Sequence, residues 1–246
     1  MQAKRIGGLL KFFDRDTRLD GLLSGHVYFN TPEYYRLASG KGRADPHESC
    51  AFSFRKHRGD PPVQMKFADK EISEILTLTI SNGGRKPGWL HCWTAILVPA
   101  TFKDLRRICD DINRMREEFD KRYVFLPRNR IRDFATQVQQ ALPADCVDAL
   151  DYDLVKYSPN SDDHDPWCKA TAYAYQSEYR FVLGECEHTD TSPRTVKHPK
   201  GFHEILVADP AIQIFPEDDS GLLLLLDANG CKLIPTNQPK DEATGD

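Results

Sequence analysis

The stretch that most constrains the fold of this sequence runs from Lys169 to Leu183. Within it, aromatic and aliphatic side chains occupy odd-numbered positions, namely Tyr173, Tyr175, Tyr179, Phe181 and Leu183. Gln176, Glu178 and Arg180 occupy even-numbered positions between them. Because alternate side chains of a β-strand point to opposite faces, this pattern predicts a strand with one buried aromatic face and one polar face. Two interpretations stay open: the polar row is an ordinary solvated face, or it lines a cleft.

The rest of the sequence predicts an α+β fold. A nearly continuous apolar run at Trp89–Val98 is typical of a central strand. Apolar residues at spacings of three and four then predict a helix that begins after Thr101 and a second helix that ends at Pro143. Because strands precede and follow these helices, we expect a mixed, largely antiparallel sheet with a two-helix insertion at about 101–150.

The domain organisation follows from the same patterns. We expect a single domain over residues 1–235, which is long enough to bury a substantial core. Residues 236–246 have no apolar side chain large enough to anchor them, so we expect a disordered tail there. The leucine run in Gly221–Asp227 is predicted to be a helix, although a run made only of leucine also suits a strand.

The composition narrows the class of protein. A net charge of −4 gives no overall electrostatic footprint for a nucleic-acid partner. Nucleic acid could still touch the local basic clusters at Arg36–Arg43, Arg55–Arg58 and Arg128–Arg132, although solvated faces explain them more simply. No apolar run reaches the ~20 residues that span a bilayer, so no membrane partner is expected. The seven cysteines include no Cys-x-x-Cys pair, which favours reduced thiols and a cytoplasmic location.

Few carboxylates are candidates for chemistry. Glu178 enters a strand that is buried on one side, so it needs either a charged partner or a cleft. Arg180 lies two residues further on the same face and is the obvious structural partner. Asp45 and Glu48 stand three residues apart beside a glycine-rich loop, where a local cap is the simpler explanation. No residue spacing matches a common metal site, and no metal is expected.

Short motifs spread over most of the chain resemble a known family. They are Leu10–Phe13, Gly25–Pro32, Ala44–Glu48, Val155–Tyr157, Lys169 and Tyr175–Phe181. Their order is similar to that in a widespread prokaryotic and phage family of unknown function, number 2971 in its series. The Glu-Tyr-Arg segment matches best. The sequence departs from the family at Ala44, where the family has asparagine, and at His47, where it has phenylalanine.

The layout of these motifs is also similar to that of ADP-ribosyltransferase-like folds. The resemblance implies an NAD-using transferase or NAD hydrolase, such as a toxin or a phage-defence effector. Glu178 would then be the catalytic carboxylate that stabilises the positive charge formed as nicotinamide leaves. Gln176 would help to select the acceptor.

The same resemblance implies a set of residues that contact NAD as the substrate. Tyr28 or Tyr35 would stack on nicotinamide, and Lys11 or Arg15 would hold the pyrophosphate. Lys169 and Arg180 complete the implied contacts with a nucleotide ligand or a macromolecular acceptor.

Two other hypotheses remain open. A metal-dependent nuclease would use Asp45, Glu48, Glu178 and Lys169 as its set of acids and lysine. A non-enzymatic binding module would need Glu178 and Arg180 only as a structural pair. An open aromatic cavity beside Glu178 would favour NAD, and two further carboxylates at metal-bridging distance would favour the nuclease. A closed salt bridge from Glu178 to Arg180 or another basic residue would exclude both enzyme hypotheses.

Overall fold

The computed structural model describes residues 5–67, 70–72, 74–81, 86–143, 150–218 and 220–236. The α-helices in these ranges are α1 (Asp16–Leu23), α2 (Pro32–Leu37), α3 (Phe102–Phe119) and α4 (Ile131–Gln140). The strands are β1 (Ile6–Phe13), β2 (His26–Phe29), β3 (Phe52–Arg55), β4 (Met65–Phe67), β5 (Lys70–Ile72), β6 (Thr77–Ile80), β7 (Trp89–Leu97), β8 (Arg122–Pro127), β9 (Leu150–Leu154), β10 (Lys156–Ser158), β11 (Cys168–Ala170), β12 (Glu178–Leu183), β13 (Arg194–Lys197), β14 (Val207–Ala208), β15 (Ile212–Ile214), β16 (Leu222–Asp227) and β17 (Gly230–Pro235).

A six-stranded sheet in the order β14-β8-β1-β7-β12-β9 forms the centre of the fold. Every neighbouring pair in this sheet is antiparallel. Among the described strands, the small pair β10-β11 supplies the parallel pairing. The predicted α+β class with a mixed, largely antiparallel sheet is therefore confirmed.

The central sheet separates two hydrophobic cores, as the alternation of β1 illustrates. Leu9 and Phe13 point to the face that α1 and α4 cover. Leu10 and Phe12 point to the opposite face, which α3 and the three-stranded sheet β15-β16-β17 cover. Both faces of the sheet are therefore buried, and a polar side chain within it needs a partner or a cavity.

The region 101–150 contains both predicted helices and also a strand that the sequence analysis did not predict. The Thr101 hydroxyl accepts a hydrogen bond from the Asp104 N–H at 3.3 Å and thereby caps α3. Between α3 and α4, β8 joins the central sheet beside β1. The two helices thus lie on opposite faces of the sheet and do not form an insertion separate from it.

Two predicted elements differ in the structure. The leucine run forms strand β16 and not a helix, because β15 and β17 pair with it on both sides. Lys169–Leu183 is not one strand: a 3-10 helix at Thr171–Gln176 separates β11 from β12. Ser177 then takes a left-handed conformation with φ of 44° before β12 begins. Of the predicted tail, all but position 236 lies outside the described residues.

Candidate functional site

A cavity of about 650 Å³ opens where strands β1 and β7 separate. The antiparallel ladder between these strands ends at the pair Leu10–Thr94. Beyond that pair, in the described residues, the backbone of β1 pairs with β8 and not with β7. Strand β7 pairs there with β12 and, through Leu90, with Asn30 directly after β2. The volume lies within the roughly 300–1,000 Å³ that is typical of small-ligand sites.

The cavity gathers most of the residues that the sequence analysis proposed. Seven of them line it, namely Lys11, Tyr28, Tyr35, Glu48, Lys169, Gln176 and Glu178. Asp45 and Arg180 do not line the cavity but contact residues that do. Residues far apart in the sequence therefore converge on one space.

Glu178 lies at the start of β12, beside the end of the β1–β7 ladder, where it pairs with Thr94. Its carboxylate accepts a hydrogen bond from Arg180 Nε at 2.5 Å and another from Lys169 Nζ at 3.1 Å. Its backbone N–H donates to the Tyr157 hydroxyl at 2.8 Å. Glu178 is only 4% exposed, so the bonds from Arg180 and Lys169, and not solvent, balance the charge of its carboxylate.

Two more carboxylates complete a buried charge cluster, which we define as Asp45, Glu48, Lys169, Glu178 and Arg180. Lys169 Nζ lies 3.4 Å from Glu48 Oε2 and 3.6 Å from Asp45 Oδ2. Arg180 Nη2 contacts the Glu48 carboxylate at 2.9 Å. With every group ionised, three negative charges face two positive ones.

Local charges set the ionisation of this cluster. Burial opposes ionisation of Glu178, but the Arg180 and Lys169 charges outweigh it and hold the pKa of Glu178 well below its usual range. Burial raises the pKa of Asp45, and the Glu48 charge raises it further. The excess negative charge of the cluster is therefore relieved most readily by protonation of Asp45.

Gln176 also contacts the buried charge cluster, although its position in the fold differs from the predicted one. It lies at the end of the 3-10 helix, not on the face of a strand, and the left-handed turn at Ser177 directs the chain into β12. Its side-chain carbonyl accepts from Lys169 Nζ at 3.3 Å, and its amide donates to the Gly42 carbonyl at 2.8 Å. Gln176 therefore ties the loop that contains Gly42 to the buried charge cluster.

The 3-10 helix also changes the prediction that Gln176, Glu178 and Arg180 form one row on a strand. Glu178 and Arg180 share a face of β12, as predicted. Both faces of that strand are buried, so the solvated-face interpretation is wrong. Lys169, which contacts both Gln176 and Glu178, joins the three side chains into one network.

Lys11 spans the gap between the separated strands. Its Nζ donates to the Cys92 backbone carbonyl at 2.7 Å, a group on β7 that the interrupted ladder leaves without a backbone partner from β1. The amine lies 5.9 Å from the centre of the Trp93 ring. Because the site is poorly hydrated, burial lowers the pKa of Lys11 to about 8.

The mouth of the cavity carries residues that the sequence analysis did not propose as site residues. Asp14 pairs there with Arg18 at 2.9 Å and with Arg43 at 3.1 Å, which leaves one excess positive charge. Trp93 and Tyr34 add to the aromatic wall. Arg43 belongs to a basic segment visible in the sequence, but its neighbours in space depend on the tertiary fold.

Three predicted cationic contacts need correction. Arg15 does not line the cavity but borders a separate pocket with Asp16 and Arg122. Arg36 and Arg55 are each 1% exposed and pair with Glu33 at 2.7 and 2.6 Å. These two arginines are internal ion-pair partners and cannot contact nucleic acid.

Comparisons with known proteins add no relative: no family model, no curated protein and no solved structure matches the chain. The resemblance to the family of unknown function and to ADP-ribosyltransferase-like folds therefore stays a prediction. No helix in the described ranges is long and apolar enough to cross a membrane.

The geometry combines features that the competing hypotheses predicted separately. An aromatic-lined cavity borders Glu178, which favours an NAD site. The salt bridge to Arg180 is also present, which favours a structural pair, but it does not close Glu178 off, because Glu178 still lines the cavity. The described residues contain no group of three or more His, Cys, Asp or Glu side chains placed to hold a metal ion, so the nuclease hypothesis gains no support from them.

Proposed function

We propose that this chain binds NAD in the cavity between β1 and β7 and cleaves its bond to nicotinamide, as an ADP-ribosyltransferase or NAD hydrolase. The observation that supports this proposal is the position of Glu178, an ionised, buried carboxylate in the wall of a nucleotide-sized cavity. A fixed negative charge stabilises the cationic ribose that forms when nicotinamide departs. Gln176 is the proposed residue for acceptor selection.

The ion pairs of Glu178 leave room for this role. An ionised carboxylate has about four acceptor positions. Arg180, Lys169 and the Cys92 thiol use three of them, which leaves about one position for a ligand hydroxyl. The two cations lower the basicity of Glu178, so its part is electrostatic stabilisation and orientation, not proton abstraction.

The remaining lining suits the other parts of a dinucleotide. Tyr28 and Tyr34 are 53% and 39% exposed, so their rings are available to stack on a planar base. Arg18 and Arg43 at the mouth, with Lys11 inside, supply the positive charge that a pyrophosphate requires. A cytoplasmic location is part of the proposal, supported by six free cysteines among the described residues.

The test is release of nicotinamide from NAD by the purified chain, measured by chromatography, with NAD binding measured by calorimetry. The Glu178→Gln variant is expected to bind NAD but to lose turnover. Glu33→Gln is the matched control, because Glu33 is also a buried carboxylate between two cations but does not line the cavity. Absence of both NAD binding and nicotinamide release in the unaltered chain would refute the proposal.

The second candidate is a non-enzymatic binding module, favoured by the ion pairs that join Glu178 to Arg180 and Lys169. In that case the cavity binds a nucleotide without turnover, and Glu178→Gln lowers stability alone. Binding without nicotinamide release would select this candidate over the enzyme.

A further inference from the structure

The cavity wall contains two lysines in opposite electrostatic environments. Lys169 lies within 3.6 Å of three carboxylates, which raise its pKa well above the usual value despite burial. Lys11 has no carboxylate within 4 Å among the described residues, and its amine is bound through one hydrogen bond to the Cys92 carbonyl. Lys169 is therefore fixed as an ammonium ion, whereas Lys11 is free to lose its proton.

The environment of Lys11 favours a nucleophilic amine. Lys11 lines the cavity, and its Nζ lies 5.9 Å from the centre of the ring of Trp93, which lines the same cavity. With a pKa of about 8, a far larger share of the Lys11 side chains is neutral at pH 7.5 than of ordinary exposed lysines, whose pKa is about 10.4. A neutral amine has the lone pair that attacks a carbonyl carbon.

The mouth of the same cavity suits an anionic group. Arg18 and Arg43 converge on Asp14, so the three side chains carry one net positive charge. The Arg43 charge is near enough to Lys11 to lower its pKa further. Arg18, Arg43 and Lys11 line the same cavity, so guanidinium groups are available to bind an anionic group of a ligand that reacts with Lys11.

We propose that Lys11 forms an imine with an aldehyde that carries a phosphate group, and that Arg18 and Arg43 bind the phosphate. The neutral amine attacks the carbonyl carbon, a C–N bond forms, and the carbonyl oxygen takes up the proton from nitrogen. The carbinolamine then loses water, which breaks the C–O bond and leaves a C=N bond. No oxidant or reductant is consumed.

This inference goes beyond NAD chemistry and does not depend on it. Imine formation needs Lys11 and the two arginines at the mouth of the cavity, Arg18 and Arg43, but not Glu178. The Glu178 charge raises the pKa of Lys11, so its loss in Glu178→Gln makes more of the amine neutral. The Glu178→Gln chain is therefore expected to react at least as fast as the unaltered chain, whether or not NAD is a substrate.

The test uses pyridoxal 5′-phosphate as the probe, at a concentration equal to that of the full chain. Borohydride reduction fixes the imine, intact mass counts the groups added, and peptide mapping locates them. We expect one group, at Lys11. The reaction rate should rise with pH and level off above about 8, whereas exposed lysines should continue to gain reactivity towards their ordinary pKa of about 10.4.

Three variants separate a specific site from general lysine labelling. Lys11→Arg keeps a donor for the Cys92 carbonyl but cannot form the imine, so labelling should fall at least about tenfold while the melting temperature stays near that of the unaltered chain. Lys156→Met, at an exposed strand position, should leave labelling unchanged. Arg43→Gln should slow labelling by the phosphate-bearing probe more than labelling by pyridoxal, which lacks the phosphate, because loss of the Arg43 charge also raises the pKa of Lys11 and so slows both reactions.

Two results would overturn the proposal. One is labelling spread over exposed lysines with Lys11 unmodified, or undiminished labelling of Lys11→Arg. The other is equal labelling by pyridoxal and by its phosphate, which would remove Arg18 and Arg43 from the site.

Discussion

Replacing Glu178 by glutamine removes one negative charge from the buried charge cluster with little change of volume. Removal of one partner from a buried ion pair costs about 3–5 kcal/mol when the other is left without a counter-charge. Here Glu48 still contacts both cations, at 2.9 Å from Arg180 and 3.4 Å from Lys169. We therefore expect a smaller loss, about 2–3 kcal/mol of unfolding free energy, which lowers the melting temperature by roughly 4–12 °C.

The fall in turnover of Glu178→Gln should be larger than its loss of stability can account for. Loss of one preorganised electrostatic group typically costs about 10²–10³ in kcat. Nicotinamide release by folded Glu178→Gln at 25 °C should therefore fall by at least about a hundredfold, with NAD affinity changed by much less.

The control variant makes this result interpretable. Glu33→Gln leaves Arg36 and Arg55 facing a neutral amide, so it should destabilise the chain at least as much. Its nicotinamide release per folded molecule should remain close to that of the unaltered chain. If Glu178→Gln keeps more than about a tenth of the turnover, or if both variants lose it equally, the electrostatic role of Glu178 is wrong.

Three further predictions test the surroundings of the site. Burial and the Glu48 charge raise the folded-state pKa of Asp45, so the stabilising contribution of Asp45 is present at low pH and is lost as the pH rises through that pKa. Asp45→Asn should therefore raise the melting temperature by a few degrees at pH 7 and have no such effect near about pH 3. A Cβ at Gly42, where φ is 76°, would lie 2.6 Å from the Phe119 ring. Gly42→Ala should therefore displace the loop that contains Gly42 and weaken NAD binding, measured by calorimetry, roughly tenfold. Unchanged affinity would contradict a role for this loop in the site. Asp120 ends α3 with φ of 96° and ψ of 173°, a conformation that glycine adopts without strain; Asp120→Gly should gain about 1 kcal/mol and raise the melting temperature by roughly 2–4 °C, and a decrease in scanning calorimetry would show that the strain is absent.

Local sequence signals predicted the elements whose formation depends on neighbours along the chain. Thr31 accepts a hydrogen bond from the Tyr34 N–H at 3.2 Å and begins α2, and an N-cap of this kind depends only on neighbours along the chain. The apolar stripe of α3 is buried as its spacing predicted. The apolar run at Trp89–Val98 forms β7, a central strand of the sheet.

Other elements could not be predicted because non-local pairing decides them. The leucines of β16 suit either a helix or a strand, and hydrogen bonds to β15 and β17 select the strand. The sequence of β8 is too short, between two strongly periodic helices, to predict a strand, and hydrogen bonds to β1 determine its conformation. Residues 169–183 alternate like a strand, but the 3-10 helix and the left-handed turn at Ser177 interrupt it.

By itself, the sequence determined the α+β class, the main helices, and the carboxylates and lysines that are candidates for catalysis or binding, because residue type and local periodicity encode these properties. Only the tertiary structure decided which of them meet. The β1–β7 ladder ends at Leu10–Thr94, so a cavity opens and Lys11 bonds to the Cys92 carbonyl across it. Glu178 lies beside that opening because β12 pairs with β7 in a register that sets it opposite Thr94. Register and strand separation depend on contacts between residues more than 80 positions apart, and no local pattern specifies them.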